Sequence, residues 1–361
     1  MTEAGHVRGV VLPDDEVRDL WFSGDRVSLT PLPDAVTIAD RGYILPGLVD
    51  AHCHIGIRSG GAPVESVDEA RSLAAVNRDV GVLALRDAGS PYPYPELDDD
   101  PEGPRLARAG RHLAPVRRYL RDVGVEVTAD ELAAEAKRQA AAGNGWVKLV
   151  GDWLDRRTGD LGPAWALPVM AEAVAVAHAA GARVAVHTFA EESVAALVRA
   201  GVDSVEHGTG LSDEDIAEMA RRGTVLVPTM ANVATFGGIA ERAQEKFPGY
   251  ARHMLALRDR HPGVVAAAHE AGVPIFVGSD AGGGISHGLA GEEMLALHER
   301  AGLSTMDVLR AASWGAREWL GFPGLVEGGL ADLVVYDDDP RQDLRVVRSP
   351  ARIVLRGRIL E

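Results

Sequence analysis

The feature that most constrains this chain is the regular alternation, through its middle, of short apolar runs with amphipathic stretches. Apolar runs bounded by Gly, Pro and Asp read as buried strands, and longer stretches with a period near 3.6 read as helices. The strand-like runs are "GLVDAHCHI", "GVLALRDAG" (81–89), "PRLARAG" (104–110), "WVKLV" (146–150), "RVAVHTF" (183–189), "VDSVEHG", "TVLVPTM" and "PIFVGSDAGGG" (274–284). Helical stretches fall between them, near 66–78, over 128–143, over 168–181, in "EESVAALVRAG" and "SDEDIAEMARRG", over about 238–272 with a break at Pro248 and Gly249, and as two segments in 289–320. The stretch 128–143 opens with a capping box, Thr128 and Glu131, and closes at Gly143. Eight strand candidates, each followed by a crossover, predict an α/β fold of the (β/α)8 barrel type, with a doubly wound open sheet as the alternative.

The two ends do not join this repeat. "VRDLWFSGDRVSLTPLPDAVTIADRGYIL" and "ADLVVYDDDPRQDLRVVRSPARIVLRGRIL" are short alternating strands punctuated by Gly, Pro and Asp. The simplest assembly pairs them into one small β-sandwich built from both termini. The domain expectation is therefore residues 1–45 with 326–361 as the sandwich and 46–325 as the barrel.

Composition narrows the function. With 37 Lys and Arg against 53 Asp and Glu, the formal charge is −16, which argues against a nucleic-acid or anionic-membrane partner and for small-molecule chemistry. A single cysteine excludes an intrachain disulfide, the start "MTEAGHVRGV" lacks a secretion-signal pattern, and no apolar run approaches the roughly 18 residues of a membrane span. The expectation is a cytoplasmic protein, with a homo-oligomer left open.

The chemistry-bearing residues gather at one kind of place. In "ILPGLVDAHCHIG" His52 and His54 alternate, so in a strand they share one face while Cys53 points to the other as a small buried apolar residue. Two imidazoles side by side suggest a metal. Lys148 lies in the fourth strand, His187 ends the fifth, His207 the sixth and Asp280 the eighth. In a barrel all six converge on the mouth formed by the C-terminal strand ends.

The pieces "LPGLVDAHCHI", "VKLV", "VAVHTF", "SVEHGTG", "VGSDAG" and "VEGGLADLVVYDDDP" together resemble the amidohydrolase superfamily of metal-dependent hydrolases. Through "SDAGGGISHGLAGEEMLALHERAGLSTMDVLRAAS" the chain is similar to the branch of Xaa-Pro dipeptidases and imidazolonepropionase-like amidohydrolases. The resemblance implies two divalent metal ions, zinc by preference for imidazole and carboxylate ligands. His52, His54 and Asp280 would serve one, and His187 and His207 the second. It also implies that Lys148 is N6-carboxylated and bridges them, since an unmodified ammonium beside two dications would be repelled. A hydroxide bridging ions roughly 3.5–4 Å apart would attack an amide or peptide C–N bond, with Asp280, Lys148 and His207 as the catalytic set.

His287, in the loop after the eighth strand, matches a substrate-proximal histidine of that branch and is expected to hold a substrate carboxylate. His112 and Arg86 complete the expected substrate-binding set, although for Arg86 with Asp87 a structural ion pair is the favoured reading over a pocket wall. Where the branch often has Gly-Gly-His, this chain reads "RAGRHLAPVRRYL", a departure that leaves the substrate open. A mononuclear hydrolase of cyclic amides or amidines, a deaminase or a lactonase would use the same scaffold. A catalytically dead binding module would be expected to have lost ligands that this chain keeps.

Overall fold

The computed structural model describes residues 4–360 and is α/β. Parallel strands Leu48–Cys53, Val82–Asp87 and Arg105–Arg108 pair in sequence. A parallel bridge from Ala109 to Trp146 then hands over to Trp146–Val150, Arg183–Thr188, Ser204–His207 and Val225–Val227. Leu226 bridges Ile275, and Cys53 bridges Ala281, so the pairings return to the first strand.

The eighth segment, 274–281, is held by backbone contacts such as Phe276 N–H to Leu226 O (3.1 Å) and Ala51 N–H to Val277 O (2.7 Å) rather than by a regular ladder. Gly278 explains how it fits. A Cβ there would stand 2.4 Å from Val227 and 2.7 Å from His52, so only glycine lets this backbone lie against the histidine-bearing strand. Nearly every residue of the ring strands is buried, as expected of strands covered on both faces.

Helices cover the ring's outside, and local sequence sets their ends. Ser66 caps Val67–Arg78 by accepting from Glu69 N–H, and the Thr128–Glu131 capping box forms as expected ahead of Leu132–Ala142. The expected long helical region divides into Phe236–Ala243 and Pro248–Glu270, with Pro248 in the first turn, where its missing N–H is harmless. Three helices, not two, follow the eighth segment: Ala290–Glu299, Thr305–Ala312 and Trp314–Leu320. The extra break falls at Ser313, which leaves helical backbone and donates its hydroxyl to Pro46 O at 2.5 Å.

Both termini supply one eight-stranded sheet. Tyr43–Pro46 pairs antiparallel with Leu333–Tyr336, joining the N-terminal strands to Arg352–Leu355 and Arg358–Leu360. The first strand, Gly5–Val11, bonds parallel to Val36–Ala39 along its first half and to Tyr43–Pro46 along its second. Alternate burial along it turns Val7 and Val11 onto a core shared with Leu20, Phe22, Ile44 and Leu333. Among the described residues no helix is long and apolar enough to cross a membrane.

Candidate metal centre

A cavity of about 740 Å³ opens at the C-terminal ends of the ring strands. His52, His54, Lys148, His187, His207 and Asp280 all line it, as does His112. His52 and His54 leave the end of the first strand on one side, their ring centroids 5.1 Å apart. Asp280 Oδ1 lies 3.2 Å from His52 Nε2 and 3.1 Å from His54 Nε2. These three offer ligand atoms within 4.8 Å of one another. His187 Nδ1 is 3.0 Å from His207 Nε2, and His207 Nδ1 is 4.0 Å from Asp280 Oδ2.

The far sides of the rings are anchored. His54 Nδ1 donates to Gly89 O (2.6 Å), and His52 Nδ1 donates to Glu206 Oε2 (2.6 Å), which turns each Nε2 toward Asp280 and the cavity. A histidine held from behind by a carbonyl or carboxylate is the arrangement that fixes ring and tautomer for metal binding. His261, buried in Pro248–Glu270, donates to His207 O at 2.9 Å.

Glu206 is wholly buried behind His52 and is a residue of the site that the sequence reading missed. Burial would raise its pKa, yet Arg86 and His52 hold it well below the ordinary carboxylate range. Arg86 Nη2 meets both its oxygens at 2.6 and 2.7 Å, and Ser204 Oγ donates to Oε1 at 2.5 Å. Strand alternation would send Glu206 and His207 to opposite faces. His207 has φ +68°, in the left-handed region, and that break lets both carboxylate and imidazole serve the same centre. Asp280 (φ +59°) and Thr229 (φ +47°), whose Oγ1 is 2.6 Å from His207 Nδ1, share this strain. Such outliers persist where their surroundings pin them, here by bonds such as Asp280 N–H to His52 O at 2.7 Å.

Among the residues that line the cavity, three carry buried side-chain nitrogens without partners: Lys148 at Nζ, His187 at Nε2 and His112 at both ring nitrogens. Burial pushes the Lys148 amine down to about 8, against the pull of Glu206. Burial likewise pushes His187 down to about 3, and His112 and His207 well below the usual range. They are therefore neutral imidazoles, the form that binds metal. Asp280 behaves oppositely: burial raises its pKa, but His52 and His54 hold it ionised. Asn232 Nδ2 donates to its Oδ2 at 2.5 Å.

Two expected substrate residues fall elsewhere. Arg86 is fully buried beneath the centre, its guanidinium 4.7 Å from the Trp146 ring centroid and 5.1 Å from that of Trp319, and does not line the cavity. Its ion pair is with Glu206 and not with Asp87, which instead accepts from Ile55 N–H, Gly89 N–H and Ser90 Oγ. His287 is also buried and outside the cavity lining, because Nε2 donates to Ile57 O (3.2 Å) and Nδ1 faces Asn77 Nδ2 (3.3 Å). Sequence reading instead missed Tyr119, Trp153, Phe236, Asn232 and Arg242, all in the lining. Trp153 sits on a hairpin, Asp152–Asp155 with Asp160–Pro163, whose signal was the turn residues Thr158 and Gly159 between short alternating runs.

The amidohydrolase family model matches residues 109–360, well over half the chain. The chain belongs to the amidohydrolase family. It is 50% identical over 354 residues to an uncharacterised protein of Mycobacterium tuberculosis, a match covering 98% of this chain and 95% of that one. Ochratoxinase of Aspergillus niger is 27% identical over 176 residues, 47% of this chain and 35% of that enzyme. In fold, this amidohydrolase is similar to a Xaa-Pro dipeptidase solved with methionine in its active site, with TM-score 0.84 at 22% identity over 99% of this chain and 100% of the other. The crystal structure of the A. niger ochratoxinase gives TM-score 0.80 at 18% identity, covering 99% of this chain and 95% of that one.

Proposed function

We propose that this amidohydrolase cleaves an amide or peptide C–N bond, as a dipeptidase or N-acyl amino acid hydrolase, on a (β/α)8 barrel carrying a small β-sandwich built from both termini. His52, His54 and Asp280 would hold one divalent ion, zinc by ligand chemistry, and His187 and His207 would hold a second. Lys148, in the same cavity lining, would join the two sets as a carbamate. The observation that carries this reading is the pair of orphaned, fully buried nitrogens, Lys148 Nζ and His187 Nε2, among neutral imidazoles and an ionised Asp280. Leaving buried polar atoms unpaired costs about 1–3 kcal/mol each, which suits groups that complete their bonding with a ligand. A lysine whose pKa is about 8 also has the neutral fraction needed to add CO2.

Bound ions would supply Lewis acidity toward the carbonyl and a water acidified to near neutrality. The chain does the rest. Asp280 accepts the proton of the attacking water and carries it to the leaving nitrogen, with Asn232 fixing its free oxygen. His112, neutral and unpartnered in the cavity, donates to the substrate carbonyl oxygen. A second reading, with one ion, is favoured by the compact His52, His54 and Asp280 group and by the direct contact of His187 with His207. Elemental analysis of zinc-grown protein separates the two. Near two equivalents per chain, with hydrolysis abolished by a chelator, supports the binuclear reading; full activity at one equivalent overturns it.

A further inference from the structure

Resting on that reading of amide hydrolysis, the charges lining the cavity discriminate among substrates. Apart from the histidines and Lys148, which that reading commits to the metal centre as a carbamate, the side chains there that carry charge are Arg242 and Asp280. Asp280 is the lone carboxylate in that lining, and its oxygens are already taken by His52, His54 and Asn232. A dipeptide carries an ammonium next to its scissile amide. In this cavity that ammonium meets no free carboxylate, while metal ions at the centre add further positive charge. A substrate carboxylate meets the opposite situation. Arg242, exposed at the cavity rim on Phe236–Ala243, makes no ion pair with any carboxylate among the described residues.

The remaining walls are apolar and aromatic. Tyr119 and Trp153 stand edge to face with centroids 4.8 Å apart, and Phe189 and Phe236 at 4.7 Å. About 740 Å³ of space lies between them, far more than a small acyl group fills.

We infer that the substrate is an N-blocked amino acid, a bulky aromatic acyl group in amide linkage, whose free carboxylate is held by Arg242 and whose uncharged acyl end packs on the aromatic walls. Hydrolysis breaks the acyl C–N bond and forms a C–O bond from water. One water proton passes to the nitrogen, releasing a carboxylic acid and a free amino acid with no redox partner. A guanidinium pairs with carboxylate in a planar fork that an uncharged amide cannot reproduce, so Arg242 sets specificity rather than chemistry.

The test uses full-length metal-loaded protein with N-benzoyl-L-phenylalanine, its carboxamide, and L-phenylalanyl-L-phenylalanine, each followed by hydrolysis and by titration calorimetry. The N-benzoyl acid is expected to exceed the dipeptide in kcat/KM by about tenfold or more. In Arg242→Met the acid's advantage over its carboxamide should vanish, mainly through KM, and Arg242→Lys should restore part of it. A dipeptide hydrolysed as well as the N-benzoyl acid, or an Arg242→Met loss equal for acid and carboxamide, overturns the inference while amide hydrolysis stands. If nothing is hydrolysed, the amide reading falls and calorimetry decides recognition. Tighter binding of the N-benzoyl acid than of the dipeptide, lost in Arg242→Met, supports it; equal or absent binding overturns it.

Discussion

At the N-terminal ends of the ring strands the Asp332 carboxylate is completely buried and completely bonded. Arg105 meets it at 2.6 and 3.2 Å, Arg317 at 2.7 Å and the Arg356 backbone N–H at 2.9 Å. This cluster ties the terminal sheet to the strand Arg105–Arg108 and the helix Trp314–Leu320. At the opposite ends of the same strands Lys148 and His112 are equally buried, and their nitrogens bond to nothing among the described residues. The first arrangement holds elements together. The second leaves bonding capacity facing a cavity, so it opposes folding and serves a ligand instead. Left-handed backbone occurs on both sides of this division, at His207, Thr229 and Asp280 beside the cavity and at Arg356 in the Asp332 cluster.

The largest effect that would sharpen this contrast is at Lys148. Lys148→Met should lower kcat by about 10⁴-fold, roughly 5.5 kcal/mol, and reduce metal content, while the metal-free protein melts no lower than the parent or higher. Partial rescue by short carboxylic acids added with metal would mark the carbamate role. A fully active methionine variant, or one that melts well below the parent, would show that Lys148 is a structural group after all.

Asp332 should behave in the reverse way. Asp332→Ala leaves Arg105 and Arg317 buried without their anion and should cost about 3–5 kcal/mol of stability, read by urea unfolding, with metal stoichiometry unchanged in the folded fraction. Burial raises the pKa of Asp332, but the charges of Arg317 and Arg105 outweigh it and hold the folded value below the ordinary one. A depressed carboxylate stabilises fully above its unfolded pKa, near 3.8, and that stability is lost as pH falls through the folded value. The acid limb of the stability profile below about pH 4 should therefore flatten in Asp332→Asn. An unchanged limb would place the acid sensitivity elsewhere.

Glu206 tests the boundary between the two regions, because it is bonded like Asp332 yet touches a proposed ligand. Glu206→Gln should weaken metal binding by about 10–100-fold in chelator competition and loosen the Arg86 contact. Unaltered metal affinity would assign Glu206 to the structural side of the comparison.

The division also explains what the sequence could disclose. The ring order, the C-terminal placement of His52, His54, Lys148, His187, His207 and Asp280, and the cap at Thr128 follow from local periodicity and spacing, which a single chain displays. Glu206 was hidden because strand alternation assigns it to the face opposite His207, and one left-handed residue cancels that rule. Arg242, Tyr119 and Trp153 were hidden because they come from a helix, a loop and a hairpin inserted between strands. No periodicity marks which inserted residues turn toward the cavity. The eighth apolar run predicts a regular strand, whereas 274–281 makes only isolated bridges, to Leu226 and Cys53.

The smallest effect concerns His287, where a loop of glycines suggested a mobile substrate ligand. The loop instead folds inward: Gly288 N–H donates to Asn77 Oδ1 at 2.9 Å, and the His287 ring is fixed between Asn77 and Ile57 O. Burial also lowers its pKa, which keeps the ring neutral and poorly suited to hold an anion. His287→Ala removes about one buried hydrogen bond's worth of stability, about 1 kcal/mol, and should lower Tm by a few degrees at most. KM for a carboxylate-bearing substrate should stay within about twofold of the parent, because the ring never reaches the cavity. A tenfold rise in KM confined to free acids, with Tm unchanged, would instead mean that the loop turns outward in the working enzyme. His287 would then belong with Lys148 and His112 as a group kept available for a ligand.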